Sequence, residues 1–203
     1  MTEPPWLLMG RELIGIGEIV GTAHEPNVVA FFADAGVPEI KDDETAWCGA
    51  FVTAMFVKAG RREVRPMGDR YDALRARKWL EVGKPVTDPL PGDLVIFERG
   101  GKNATTGHVG FYVSETETNI RVLGGNQSNQ VSIANYAKAR VLGYRRVVQT
   151  QKPSAAPVVQ PAPSSPPLRA SPEPEDALRG DDAPTFWERL LALFGIGKKW
   201  PGR

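Results

Sequence analysis

Apolar side chains recur at helical spacing in the early part of the chain and at alternate positions further on, and this change of period is its main structural signal. Residues 6–17 and 26–35 carry apolar positions three and four apart, which predicts two helices. In residues 47–59, Trp47, Ala50, Phe51, Ala54, Met55 and Val57 keep that spacing, and Gly60 stands where a helix is expected to stop. A fourth helix is expected over 70–80. Beyond it the period becomes two: residues 93–97, 108–114, 119–123, 130–133 and 141–148 read as strands separated by Gly, Asn or charged turns. Helices followed by a meander of strands is an α+β order, with the N-terminal helices expected to pack on an antiparallel sheet.

Proline then divides the chain. Of its 18 prolines, nine fall between Pro153 and Pro184 in a run also rich in Ala, Ser and Gln. Such a composition cannot bury enough apolar surface to offset its ordering entropy. The expected organisation is a folded domain over 1–150, an extended linker over 151–184, and a short amphipathic helix with a basic end over 185–203.

Charge and composition narrow the chemistry. With 25 basic and 24 acidic residues the formal net charge is +1, so no cationic field favours nucleic acid as a partner. A monomer is expected. One cysteine excludes an internal disulfide, and two histidines cannot supply the usual zinc spacings. The start of the chain shows neither a basic n-region nor an apolar h-region, and no stretch approaches the roughly 20 apolar residues of a membrane span. Synthesis in the cytoplasm without a signal peptide is therefore expected.

Cys48 lies in the first turn of the helix predicted over 47–59, where free N–H groups and the helix dipole favour a thiolate. A thiolate nucleophile needs a base. His108 opens an apolar strand between small residues in Thr106-Gly107-His108-Val109-Gly110-Phe111-Tyr112-Val113, whereas His24 sits in a Gly-Thr-Ala-His-Glu-Pro loop whose surface polarity accounts for it. A third group should orient the imidazole. Val122-Leu123-Gly124-Gly125-Asn126-Gln127-Ser128-Asn129, at the end of the next strand, offers Asn126 as the natural choice, with Gln127 and Asn129 as competitors. Asp93, in a Pro-Gly-Asp turn, is expected to accept backbone N–H bonds. Trp47, beside Cys48, is a candidate for lining a substrate groove or for the core.

The order Trp47-Cys48-Gly49-Ala50-Phe51-Val52, Pro91-Gly92-Asp93, Gly107-His108-Val109-Gly110 and Gly124-Gly125-Asn126-Gln127 resembles the CHAP branch of the NlpC-type, papain-like peptidoglycan hydrolases, and within it a phage and prophage endolysin-like subgroup. The resemblance spans residues 6–147. It implies a papain-like fold and cysteine-dependent cleavage of an amide in bacterial peptidoglycan, either as an N-acetylmuramoyl-L-alanine amidase or as a peptide endopeptidase. Cys48 would be the nucleophile, His108 the base and Asn126 the orienting residue, with Trp47 and Gln127 binding substrate and no metal or organic cofactor required. Many CHAP proteins carry a glutamate in the third region, where this chain has Gly124. The competing reading is a wall-binding or tail-structural module that keeps the fold without catalysis. The site of action implied is the cell wall, in the periplasm or outside the cell. Residues 185–203, with Phe186, Trp187, Leu190, Leu191, Leu193 and Phe194 followed by Lys198, Lys199, Trp200 and Arg203, suggest contact with a membrane or the outer envelope, the alternative being that the segment packs in a groove of the folded domain or of a partner protein.

Overall fold

The computed structural model of the chain describes residues 2–101 and 103–148. The linker and the C-terminal helix expected from the sequence lie outside these residues. Three α-helices come first: α1 (Pro5–Glu12), α2 (Pro26–Asp34) and α3 (Cys48–Lys58). Each of the first two begins with proline, whose fixed φ and missing N–H suit a first helical turn. The first is shorter than its apolar pattern predicts, because the chain leaves helical geometry at Leu13 and Gly15 adopts a φ of 97°. The expected helix over 70–80 is instead two 3-10 helices, Arg70–Leu74 and Ala76–Glu81, separated at Arg75, which is extended.

Six strands follow: β1 (Lys84–Val86), β2 (Leu94–Glu98), β3 (Gly107–Glu115), β4 (Asn119–Gly124), β5 (Ser132–Ala137) and β6 (Val141–Arg146). They form one antiparallel sheet in the order β1-β6-β2-β3-β4-β5. The architecture is α+β and papain-like, in keeping with the order of elements predicted. β1 escapes a reading by alternation, since it is a three-residue, mostly exposed edge strand containing proline. The strand expected at 130–133 starts two residues later. Asn126, Ser128 and Asn129 hold left-handed φ values of 55°, 55° and 63°, and Val131 bonds instead to the segment after α1, through Val131 N–H to Ile16 O and Gly15 N–H to Val131 O.

The main core lies between the helices and the sheet. There Trp6, Phe31, Phe51, Phe56 and Trp79 pack against Leu94, Ile96, Val109, Phe111 and Leu123. The aromatic rings interlock, with Phe56 edge-on to Phe111 at 5.5 Å and Phe31 edge-on to Phe51 at 5.6 Å. The end of β4 approaches α3 so closely that a Cβ at Gly125 would stand 2.5 Å from the Trp47 ring and 2.6 Å from Phe51 Cβ. A second cluster contains Val95, Phe97, Tyr112, Ile120 and Val122, flanked by Tyr136, Val141 and Tyr144. Asp93, 5% exposed, accepts the Leu90 N–H at 2.8 Å, as a turn aspartate should. It also takes a fork of hydrogen bonds from Arg146 Nε and Nη2, which ties β6 to the turn before β2. No helix among the described residues is long and apolar enough to cross a membrane.

Candidate active site

Cys48 is the first residue of α3, and Trp47 is its N-cap. At this end of a helix the first amides have no intrahelical acceptor. The Cys48 and Gly49 N–H groups, together with that of Val109 on β3, serve the sulfur instead. Val109 directly follows His108, so the helix start and the histidine strand meet at the thiol. Cys48 is only 7% exposed, and burial pushes its pKa above the ordinary value against the pull of those amides and of the Arg99 charge. The helix start therefore does not by itself yield a resting thiolate, as the sequence suggested, because desolvation outweighs the helix N–H groups.

His108 is cross-strand partner of Phe97 and is 1% exposed. Its ring stacks with Tyr136 of β5 at 5.1 Å and 16°, and Tyr136 stacks in turn with Phe97 at 4.7 Å. Burial lowers the His108 pKa to about 4, the Gln127 hydrogen bond opposes that fall, and the Arg99 and Arg140 charges add to it. At neutral pH the pair rests as a thiol and an uncharged imidazole.

The hydrogen bond expected of Asn126 is made by its neighbour: His108 Nε2 lies 3.1 Å from Gln127 Oε1. Asn126 is half-buried and, with a φ of 55°, turns the chain at the end of β4, a conformation asparagine tolerates better than most residues. Nor does Gln127 face a groove as a substrate ligand would, since it is 4% exposed and its amide is bonded inside the protein. Trp47 is likewise no lining residue: it is fully buried and its indole donates to Glu18 Oε1 at 2.9 Å.

The two histidines belong to different places. His24 Nδ1 lies 3.0 Å from Asp43 Oδ1, while Asp43 Oδ2 accepts the backbone N–H groups of Ile19 and Glu25. Burial, the largest influence on Asp43, would raise its pKa, but these donors outweigh it and hold the carboxyl at about 2. His24 thus helps fasten the loop before α2 to the segment leading into α3. Among the described residues no group of three or more His, Cys, Asp or Glu side chains is placed to hold a metal ion.

A cysteine at a helix start, its sulfur against the amide that follows a buried histidine, is an arrangement suited to nucleophilic attack on a carbonyl. Residues 40–126 match the family model of the CHAP domain. The match supports the CHAP family, whose domains are in general cysteine hydrolases of the amidase and endopeptidase kind, and it indicates function of the peptidoglycan-hydrolase type. Among curated proteins nothing matches the chain. The CHAP match includes Cys48 and His108 and stops one residue short of Gln127.

Sequence reasoning named Gln127 only as a competitor for the orienting role, and it missed Tyr136, Arg99 and Arg140. Alternation does not mark Tyr136, since it stands out of phase with Ile133 and on the opposite face of β5, where only the sheet pairing brings it to His108. The effect of the two arginines on His108 arises from loop geometry, which no local pattern encodes.

Proposed function

We propose that this protein is a hydrolase of the CHAP kind that cleaves an amide bond of peptidoglycan by cysteine catalysis, with Cys48 as nucleophile and His108 as its proton acceptor. The observation that carries the proposal is the placing of the chain's single cysteine at the first position of α3, against the Val109 amide that follows His108. As substrate binds, the Cys48 proton passes to His108 and the sulfur attacks the amide carbon. Backbone N–H groups at the α3 start receive the developing oxyanion. Protonated His108 then donates to the departing amine, and water, with His108 again as base, releases the acyl group from Cys48.

The bond cut is either the amide joining N-acetylmuramic acid to L-alanine or one within the peptide stem or cross-bridge. The motifs at residues 47–52, 107–112 and 124–132 favour an endolysin-like role in wall degradation. Purified sacculi incubated with the protein should lose turbidity, and mass spectrometry of the released muropeptides identifies the bond by its new amine or carboxyl terminus. Cys48→Ala and Cys48→Ser, both folded, should release nothing, and thiol alkylation should match them. Undiminished release by either variant refutes the mechanism, while sacculus binding without release by the unmodified protein would favour the wall-binding module.

A further inference from the structure

We propose that Gln127 is the positioning residue of this site, and that its side-chain amide holds His108 with the proton on Nε2, leaving Nδ1 bare to accept the proton of Cys48. The proposal rests on reading Cys48 and His108 as the hydrolytic pair. Its first support is that the amide can face only one way. One end of it lies 2.6 Å from Ser132 O, 3.3 Å from Val122 O and 3.1 Å from Ser132 Oγ. Backbone carbonyls only accept, so that end must be the NH₂ group. The atom 3.1 Å from His108 Nε2 is then Gln127 Oε1, which also only accepts, so Nε2 must carry hydrogen. A neutral imidazole has one N–H. Nδ1 is consequently the free base, and no tautomer with the roles reversed satisfies the amide, Ser132 and His108 together.

The second support is the space the amide occupies. A Cβ at position 124 would stand 3.0 Å from Gln127 Oε1 and 3.1 Å from His108 Nε2, tighter than ordinary packing allows. A longer side chain there would displace the bond. Gly124 and Gln127 thus form one device: the strand end gives up its side chain, and a residue three positions on returns beneath it. The return is shaped by the left-handed turn at Asn126 and closed by Gln127 N–H to Gln130 O at 3.0 Å. The partner of His108 is accordingly an uncharged amide, which orients the imidazole without the electrostatic stabilisation a carboxylate would lend to its protonated form.

The test is the ¹⁵N–¹H spectrum of the histidine rings in the full-length protein at neutral pH, with His108 assigned by its loss in His108→Gln. The expected pattern is a protonated Nε2 and a bare Nδ1. In Gln127→Met, which keeps length but loses the acceptor, the two tautomers should mix, and turnover on saturating purified sacculi should fall at least about tenfold, as wrong-tautomer sites do. Gly124→Ala, which presses on the same bond while leaving Gln127 in place, should move both readouts in the same direction. A protonated Nδ1 in the unmodified protein overturns the proposal, as does a Gln127→Met protein with unchanged tautomer and turnover. Should Gln127→Met not fold, the unmodified spectrum and Gly124→Ala decide. If the spectrum is as expected but Cys48→Ala still hydrolyses sacculi, the positioning stands and the hydrolytic assignment fails.

Discussion

The burial of His108 makes a quantitative demand on stability. Its pKa is held at about 4 in the folded protein, against 6.5 for an unperturbed imidazole. The unfolded chain therefore binds the proton more readily, and stability is fully present above pH 6.5 and is lost as pH falls through 4. Integrating the difference in bound protons gives a loss of about 2 kcal/mol between pH 7 and pH 5, and about 3 kcal/mol by pH 4. Against a total of about 5–15 kcal/mol for a typical domain this is a large share. The perturbation that isolates it is His108→Gln, which keeps an amide donor facing Gln127 Oε1 but does not titrate. Urea unfolding followed by fluorescence of the buried tryptophans, at steps from pH 7 to pH 4, should give a midpoint that falls more steeply for the unmodified protein than for the variant. Asp43 does not confuse the comparison, because its carboxyl at about 2 places most of its own contribution at lower pH and is common to both proteins. Parallel curves for the two proteins would refute the reasoning: His108 would then be solvated or stabilised as the cation, and the resting pair would not be neutral.

Asp93→Ala should destabilise the domain by about 2–3 kcal/mol, because the Arg146 guanidinium and the Leu90 N–H lose their shared acceptor, yet leave turnover per folded molecule unchanged. Loss of activity at an unaltered melting temperature would instead place Asp93 in the chemistry. His24→Ala should retain hydrolysis of sacculi while lowering the melting temperature, since it removes one of the donors on buried Asp43. A chain ending at residue 150 should hydrolyse purified sacculi at the full rate but bind anionic vesicles and lyse intact cells less well, and loss of sacculus hydrolysis would reject a membrane or envelope role for residues 185–203.

The parts of the fold most legible in the sequence were those in which one period ran without interruption. In α3 nearly every side chain from Cys48 to Phe56 is buried, so the apolar run and the stop at Gly60 carried the prediction. Strands β2, β3, β4 and β6 alternate across a sheet with apolar clusters on both faces, and they fell within two residues of their expected bounds. The failures are equally physical. The span 70–80 has helical composition, but its chain is pulled off helical geometry at Arg75, and Ala73 is pinned as an acceptor by the Trp79 indole at 3.0 Å. Both ends of the pairing between residues 15–18 and 129–131 lie in segments that look like loops, so neither advertises the other.

The site divides along the same line. Cys48 and His108 could be singled out from the sequence because local position marks them, a helix start and a Gly-flanked strand opening, and the structure brings those two elements together at the sulfur. The third position could not, because what faces Nε2 depends on how three consecutive features cooperate: the missing side chain of Gly124, the left-handed turn at Asn126, and the carbonyl of Ser132 that sets the amide of Gln127. Asparagine and glutamine are both chemically able to accept from an imidazole N–H, so residue type alone favours the one nearer the strand end. Backbone conformation decides otherwise, since the turn that asparagine makes at position 126 is what brings the next side chain back under the sheet. Asn126 thus contributes to the site through its φ, and its replacement by Gly, which adopts the same turn without a side chain, should preserve hydrolysis, whereas Asn126→Val should not. Equal loss in both variants, with the fold intact, would return the orienting role to the Asn126 side chain.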